Sequence, residues 1–327
     1  MTDYSRKALV ADIGGTNIRF AISDIDEMTI SDFASLRAAD FQSPNEALER
    51  YLKTISGCPS MIGLAIAGQV TEQGAKMTNL PWTFTRNDIR AITGTEHVCF
   101  VNDFEAIALA LPHLTDYDVH QIGEGASVPN ATKAVLGAGT GLGVAGLAWS
   151  PAGWTPVSGE GGHISFGAQN QAELELIESM KSGLGHPAAE DLLSGAGLVA
   201  LYRHQSVAGE AKGQDTAALT APDVVRRALV DHEPAAEVAL GQFVSWLGRF
   251  AGDVALLYGA RGGVYLGGGI APAILAAISA GGFRAAFNSK GRLTSYVSSI
   301  PVYVIKAGAD AGLRGAAVAL SRMLPTT

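Results

Sequence analysis

The sequence contains one unusual pattern twice: an apolar run, a short turn rich in glycine and threonine, and a second apolar run. The first copy spans residues 8–22 and turns at Gly14-Gly15-Thr16-Asn17, and the second spans residues 134–148 and turns at 137–141. Glycine adopts the backbone angles of tight turns at low cost, so each copy predicts a β-hairpin. A hairpin at the start of each half predicts a duplicated α/β fold, with two similar domains facing a cleft.

The first turn has two interpretations. Backbone N–H groups of a glycine-rich turn can form a concave array that binds phosphate. Asp12, at the end of the incoming strand, can then face a hydrated Mg²⁺ ion. Alternatively, the turn is a tight connection that the Asp12 side chain caps. The segment by itself does not decide between a phosphate site and a structural turn.

Length and composition exclude several classes of protein. A chain of 327 residues favours two domains, and a net charge of −8 argues against a nucleic-acid partner. An acidic protein can still bind ATP, because local N–H groups and Mg²⁺ supply the positive field. The two cysteines, Cys58 and Cys99, are far apart, so we expect buried apolar side chains rather than a zinc site.

Membrane and export signals are also weak. The first strand begins too close to Met1 to leave room for a signal peptide. The uncharged stretch 262–283 is long enough to span a bilayer, but three consecutive glycines and Pro272 interrupt it. We therefore expect a soluble, cytoplasmic protein with no membrane partner.

Hydrophobic runs and helix-start signals predict the other elements. In the first part we expect strands at 30–36, 60–67 and 97–101 and helices at 44–55, 87–92 and 104–111. In the second part we expect helices at 173–182, 188–204 (interrupted at 194–197), 221–230, 234–258 and from Pro272, and strands at 263–267 and 301–305. The predicted domains are a small α/β domain of residues 1–112, completed by a closing helix at 309–324, and a large α/β domain of residues 113–308.

Asn102 and Asp103 follow a predicted strand and precede a predicted helix. Ligands of open α/β sheets bind at this end of the strands, where the Asp103 carboxylate could act as general base toward a hydroxyl. Alternatively, Asn102 is a helix N-cap and Glu105 its capping-box partner. Both interpretations use the same short segment.

Residues 158–163 place Glu160 and His163 in a loop dense in glycine. Neither residue is explained by helix or strand propensity, and paired polar groups of this kind can bind the hydroxyls of a sugar. A solvated loop and metal ligation through Glu-x-x-His are the alternatives. The two consecutive glycines between Glu160 and His163 prevent the helix that the metal motif needs. Glu190 lies at a helix start, where an acid also favours the helix dipole.

Two nucleotide-binding patterns can be set aside. The P-loop pattern and the protein-kinase loops are absent from the sequence. Residues 141–146 match the dinucleotide fingerprint, but an apolar run and Trp149-Ser-Pro151 follow where a helix should begin. Without that helix N-terminus the pyrophosphate has no dipole to bind, so an NAD-dependent dehydrogenase ranks below a phosphoryl transferase.

Together these segments resemble the actin, hexokinase and Hsp70 superfamily and, within it, the bacterial glucokinase family of hexokinase-like enzymes. The matching segments, in order, are 11–16 and 137–141 (phosphate motifs), 102–106 (catalytic segment), 159–163 and 190–195 (sugar segments) and 266–270 (adenosine motif). The resemblance implies two ribonuclease-H-like (actin-like ATPase) domains with mixed sheets facing an interdomain cleft. The chain resembles the related repressor and sugar-kinase group less, because it lacks the cysteines of that group's zinc motif.

The resemblance also implies an activity, ATP + D-glucose → ADP + D-glucose 6-phosphate, which is the first step of glycolysis. Asp103 would be the general base on the 6-hydroxyl, and Asp12 would orient Mg²⁺ through water. The other sugar hydroxyls would be held by Asn102, Glu160, His163 and Glu190. ATP would be bound by Asp12, Gly14, Gly15, Thr16, Asn17, Gly137, Gly139, Thr140, Gly141, Gly268 and Gly269.

A homodimer is a further implication of the family resemblance. The alternatives to a glucose kinase are a kinase for mannose, fructose or an N-acetyl sugar, a non-catalytic sugar or nucleotide sensor, and the dehydrogenase.

Overall fold

The computed structural model describes residues 7–57, 59–180, 186–208, 219–306, 308 and 310–323. The chain forms two compact units, one of Met1–Leu114 with Ala309–Thr327 and one of Thr115–Gly308. The domain boundaries at 112 and 308 remain a prediction. Within the described ranges, no helix is both long enough and apolar enough to cross a membrane. Cys58 lies outside the described residues, whereas Cys99 is buried.

The strands of the described chain are β1 (Lys7–Ile13), β2 (Asn17–Asp24), β3 (Ile30–Arg37), β4 (Met61–Ile66), β5 (Gly68–Thr71), β6 (Gly74–Met77), β7 (Thr83–Thr85), β8 (His97–Asn102), β9 (Val119–Ile122), β10 (Lys133–Ala138), β11 (Leu142–Ser150), β12 (Gly153–Gly159), β13 (Val264–Gly267) and β14 (Val302–Ile305). The α-helices are α1 (Pro44–Leu52), α2 (Arg86–Thr93), α3 (Asp103–Ala110), α4 (Gln171–Ser179), α5 (Ala189–Leu192), α6 (Gly195–Ala208), α7 (Ala221–Leu229), α8 (Pro234–Tyr258), α9 (Ile270–Ala273), α10 (Leu275–Ser279), α11 (Gly282–Asn288), α12 (Thr294–Ser298) and α13 (Ala311–Ser321).

Both units are built on a hairpin, and both use the same strand order. The sheet of the first unit runs β3-β2-β1-β4-β8, and that of the second runs β12-β11-β10-β13-β14, with β9 added at the edge. In each sheet the hairpin strands are antiparallel, and the two strands on the other side run parallel to the first. The two hairpins and the repeated mixed sheet confirm the predicted α/β duplication.

The apolar runs become strands that are covered on both faces. β4 is buried along its whole length, as expected for a strand in the middle of a sheet with helices above and below. α13 packs on α3, β1 and β4. Its small residues allow a close approach, because a Cβ on Gly315 would lie 1.7 Å from the carbonyl oxygen of Ala106. In the second unit, the long helix α8 packs against α6, α7 and α11.

The predicted helix 44–55 is three residues too long. α1 begins as expected, with the Ser43 hydroxyl accepting the Glu46 N–H, but it ends at Leu52. Thr54 donates both its N–H and its hydroxyl to the carbonyl oxygen of Tyr51 (2.8 and 2.7 Å). The next residues are β-branched or small and polar, and such residues favour helices weakly.

Five strands are not predicted by the sequence patterns: β5, β6, β7, β9 and β12. The first three have three or four residues each and form a separate small sheet. Strands this short carry too few residues for an alternating pattern to stand out. Gly74 is required there, because a Cβ would lie 2.0 Å from the carbonyl oxygen of Phe84.

Three boundaries in the second unit also differ from prediction. The expected interruption at 194–197 is shorter, because Ser194 caps α6 by accepting the Gly197 N–H (3.2 Å) and α6 begins at Gly195. Residues 161–163 form a 3-10 turn rather than an open loop. α4 ends at Ser179, and residues 181 and 182 of the predicted helix lie outside the described residues.

Candidate active site

Asp12 lies at the carboxyl end of β1, directly opposite Arg19 in the hairpin register. Its Oδ2 accepts a hydrogen bond from Arg19 Nη1 at 3.0 Å. Gly312 of α13 lies against the carboxylate, because a Cβ there would be 2.8 Å from Asp12 Cγ. Burial raises the pKa of Asp12, Arg19 lowers it in part, and the charge of Asp310 raises it further.

The turn after Asp12 is closed by the Gly14 N–H, which donates to the carbonyl oxygen of Asn17 at 2.9 Å. The Thr16 carbonyl oxygen accepts the N–H of Ala38, at the end of β3. The side chains of Thr16 and Asn17 are exposed. Hydroxyl and amide groups of this first turn therefore remain accessible to a ligand.

Asn102 and Asp103 lie where β8 ends and α3 begins. Asn102 Oδ1 accepts the N–H groups of Phe104 and Glu105 (3.0 and 3.2 Å), so it is the N-cap of α3. Its Nδ2 donates to the carbonyl oxygen of Gly68 at 3.3 Å. The N-cap interpretation of Asn102 is therefore confirmed, and its amide oxygen is already occupied.

Asp103 is the first residue of α3 and is half-buried. Burial, and then the charge of Asp12, raise the pKa of Asp103 to about 7, although hydrogen bonds from the helix N-terminus and from Asn102 lower it in part. The Asp12 charge acts on Asp103 because β1, β4 and β8 are parallel, which brings their carboxyl ends to one edge of the sheet.

In the second unit, three predicted sugar-binding residues lie together. His163 Nδ1 is 3.9 Å from Glu160 Oε2, and His163 Nε2 is 3.8 Å from Glu190 Oε1. Both distances exceed the separation of about 3 Å that a hydrogen bond requires. The Glu160 and His163 side chains are mostly exposed, at 86% and 63%. The His163 imidazole thus lies within ion-pair range of both carboxylates without a direct hydrogen bond, so a hydroxyl beside it could contact the ring and a carboxylate together.

The segment that carries Glu190 is attached to the segment that carries His163. The carbonyl oxygen of His163 contacts His186 Nε2 at 3.1 Å, and the Ala189 N–H donates to the carbonyl oxygen of Ile164 at 2.9 Å. The other oxygen of Glu190 accepts the N–H of Leu142 at 2.7 Å. Glu190 is therefore held by the residue that directly follows the 137–141 turn.

The 137–141 turn lies beside the glycines at 267–269. Gly137 and Gly267 are paired between the parallel strands β10 and β13. Gly268 has a positive φ of 76°, and a Cβ there would lie 2.6 Å from the carbonyl oxygen of Ala138. The Gly139 carbonyl oxygen also accepts the N–H of Gly195, the first residue of α6. Two predicted nucleotide motifs and the start of a 14-residue helix thus lie together.

The described residues contain no group of three or more His, Cys, Asp or Glu side chains that could hold a metal ion. Mg²⁺ beside phosphates usually takes only one or two carboxylates, together with water and phosphate oxygens.

Comparison with known families identifies the chain. A family model described as glucokinase matches residues 9–323. The chain belongs to the glucokinase family. A glucokinase from Tolumonas auensis is 38% identical over 301 residues, covering 92% of this chain and 93% of the relative.

Solved structures agree with the glucokinase assignment. The crystal structure of a glucokinase from an Antarctic psychrotroph is 32% identical, with a TM-score of 0.82 and coverage of 97% of this chain and 99% of that one. A ROK family glucokinase from Streptomyces griseus, solved with glucose and AMPPNP, is 20% identical, with a TM-score of 0.67 and coverage of 95% and 98%. These structures have the actin-like ATPase fold, and so does this chain.

The predicted site residues fall into two groups, one in each unit. Asp12, Asn102 and Asp103 lie at one edge of the first sheet, and Glu160, His163 and Glu190 lie near the turns of the second. Sequence reasoning missed Arg19, Leu142 and Gly312. The hairpin register could have placed Arg19 opposite Asp12, whereas no local signal marks the other two.

Proposed function

We propose that this chain transfers the γ-phosphoryl group of ATP to the 6-hydroxyl of D-glucose. The observation that supports this most directly is Asp103, a half-buried carboxyl with a pKa of about 7 at the carboxyl edge of a parallel sheet. Membership of the glucokinase family supplies the substrate class.

Asp103 is proposed as the acceptor of the proton from the 6-hydroxyl. A general base works best when its pKa lies near the working pH, and an ordinary aspartate is ionised but too weakly basic. Burial and the Asp12 charge raise the pKa of Asp103 toward that range. The transition state of phosphoryl transfer is loose, so the proton leaves late and the main task of the protein is positioning.

Recognition of the sugar is proposed for Glu160, His163, Glu190 and Asn102. Two gaps of 3.8 and 3.9 Å around His163 are each too long for a direct hydrogen bond. Hydroxyl groups both donate and accept, so they can bridge carboxylate and imidazole groups. Asn102 can contribute only through Nδ2, because its Oδ1 already caps α3.

Binding of ATP is proposed for the glycine turns. In the second unit, the turns at 137–141 and 267–269 are adjacent, and α6 begins beside the first of them. Backbone N–H groups and a helix N-terminus both favour phosphate. In the first unit, Thr16 and Asn17 present accessible polar side chains.

Asp12 fits the role of a Mg²⁺ contact through water. Its carboxylate is a hard oxygen donor, and burial raises its pKa, so a nearby cation would stabilise the ionised form. Bound Mg²⁺ would neutralise phosphate charge as it develops during transfer. Arg19 holds the carboxylate by a hydrogen bond, and the missing side chain of Gly312 leaves space for it. A location in the cytoplasm belongs to the same proposal, as does assembly as a homodimer, which rests on the family resemblance.

The test follows ADP release with Mg-ATP and a panel of hexoses: glucose, mannose, fructose and N-acetyl sugars. We expect glucose to be the preferred acceptor. Asp103→Asn should lower kcat by at least about 10² while glucose binding is retained. Glu49→Gln, an exposed acid on α1, is the matched control and should behave as wild type.

Each other outcome has a definite reading. Preference for a different sugar would change the substrate, and the absence of sugar-dependent ADP with every hexose would favour a sensor. NADH formation without ATP would favour the dehydrogenase. Near-normal turnover of Asp103→Asn would leave Asp103 as a helix-start residue only.

A further inference from the structure

The two oxygens of the Glu190 carboxylate point to two different functional segments. Oε2 accepts the Leu142 N–H at 2.7 Å, and Oε1 lies 3.8 Å from His163 Nε2. We propose that Glu190 is a positioning residue that couples sugar binding to the geometry of the nucleotide turn at 137–141. The inference rests on the proposed function and adds a regulatory role to a residue assigned only to sugar binding.

The contact with the nucleotide turn is tightly packed. A Cβ on Gly141 would lie 2.4 Å from Glu190 Oε2, so the carboxylate occupies the space that any side chain at this position would need. Leu142 begins β11 and is paired with Ala138 of β10, which closes the turn. A shift of the Glu190 carboxylate therefore changes the position of the residue that ends the turn.

A second contact joins the same segments. The Gly195 N–H, five residues after Glu190, donates to the carbonyl oxygen of Gly139 at 2.9 Å. The stretch 190–195 thus contacts the turn at both Gly139 and Leu142. Because two hydrogen bonds attach this stretch to the turn, a displacement of the stretch is transmitted to the turn.

On the sugar side, Glu190 Oε1 lies 3.8 Å from His163 Nε2, which is too far for a direct hydrogen bond. A sugar hydroxyl beside the two side chains can donate to Glu190 Oε1. Such a donor draws negative charge toward Oε1 and so alters the bond that Oε2 makes with Leu142. Because binding linkage is reciprocal, a nucleotide that moves the turn must change sugar affinity by the same factor.

The experiment measures the coupling factor, which is the ratio of the glucose Kd without AMPPNP to the Kd with it, by calorimetry. We expect a wild-type factor that differs from one by at least about 5-fold, the lower end of typical coupling. Gly141→Ala inserts a methyl group against Oε2 and should bring the factor within about 2-fold of one. The nucleotide Kd with and without glucose must show the same factors.

Three further variants separate coupling from general damage. The side chain of Glu190→Asp is too short to reach both partners. We expect this variant to bind glucose more weakly and to lose coupling. Glu190→Gln keeps the length and an acceptor oxygen for Leu142, but it presents an uncharged NH2 donor where the sugar hydroxyl needs an acceptor, so it should lose coupling while the contact with Leu142 is kept. Gly167→Ala is the matched control, because a Cβ at Gly167 meets no atom within 4 Å.

The proposal is overturned if the wild-type factor is one, or if Gly141→Ala keeps the wild-type factor. It is also overturned if Glu190→Gln keeps the wild-type factor. If Gly141→Ala does not fold, as judged by its thermal midpoint, the pair of Glu190 variants decides. Failure of the wild type to phosphorylate any hexose would instead refute the proposed function, which the hexose panel measures separately.

Discussion

Removal of the Asp103 charge should stabilise the protein while it abolishes activity. The pKa of Asp103 is raised from 3.8 to about 7, chiefly by burial and then by the charge of Asp12. Once the carboxylate is ionised, a difference of this size corresponds to at most about 4 kcal/mol of lost stability. The side chain is only half-buried, so we expect Asp103→Asn to recover about 2 to 3 kcal/mol at pH 8.

The sign of the pH dependence follows from proton binding. Between about pH 4 and 7 the folded chain keeps the Asp103 proton and the unfolded chain does not. The wild type therefore loses stability relative to Asp103→Asn as the pH rises through this window, and the difference is constant above it. At pH 5 the difference should be less than half of that at pH 8.

The assay is urea unfolding of both proteins at pH 5 and pH 8, without Mg²⁺ or nucleotide. Glu49→Gln serves as the control and should change stability by less than about 0.5 kcal/mol at either pH, as expected for an exposed site. An Asp103→Asn variant that is no more stable than wild type, or whose advantage is equal at both pH values, would refute the reasoning.

Two further predictions concern packing. Gly312→Ala places a methyl group 2.8 Å from Asp12 Cγ, so kcat/KM for Mg-ATP should fall at least about 10-fold with little change in glucose KM. Gly241→Ala is the control and should not alter the kinetics, because a Cβ there meets no atom within 4 Å. Arg249→Met removes a buried partner 2.8 Å from Glu173 Oε2 and should cost about 3 kcal/mol in thermal or urea unfolding; a loss below about 1 kcal/mol would show that the bonds from Trp246 Nε1 and the Gln169 N–H satisfy Glu173 by themselves.

Much of the fold is predictable because its main signals are local. Glycine-rich turns between apolar runs mark the hairpins, and the buried strands appear as continuous apolar runs. The strands that escape prediction are three or four residues long in β5, β6, β7 and β9, and mostly exposed in β12. Their stability comes from pairing with a neighbour, which a single segment does not encode.

The candidate site is also predictable only in part. Local motifs indicate Asp12, Asp103 and His163, but they do not indicate which residues hold them. Gly312 reaches Asp12 from the far end of the chain, and Leu142 contacts Glu190 across 48 positions. Such contacts depend on tertiary packing, so the sequence predicts the functional groups and leaves most of their support unknown.

Asn102 shows that the structural and functional interpretations of one segment can both hold. Its Oδ1 caps α3 and so places Asp103 at the first position of the helix. Asn102→Ser retains a good N-cap but lacks Nδ2, whereas Asn102→Ala lacks both groups. Both variants lose the Nδ2 bond to the Gly68 carbonyl oxygen, so we expect them to differ in stability by the cap alone, with Ala about 1 kcal/mol less stable than Ser.

Glucose kinetics then separate the two roles of Asn102. If Nδ2 contacts the sugar, Asn102→Ser should raise glucose KM several-fold although the helix cap is kept, because a missing donor costs about 1 kcal/mol or more. If Nδ2 bonds only Gly68 and Asp103, Asn102→Ser should leave glucose KM unchanged and alter kcat alone, because the Asp103 carboxylate loses that bond. A wild-type KM in the Ser variant would therefore remove Asn102 from the sugar site and leave it as the residue that positions the base.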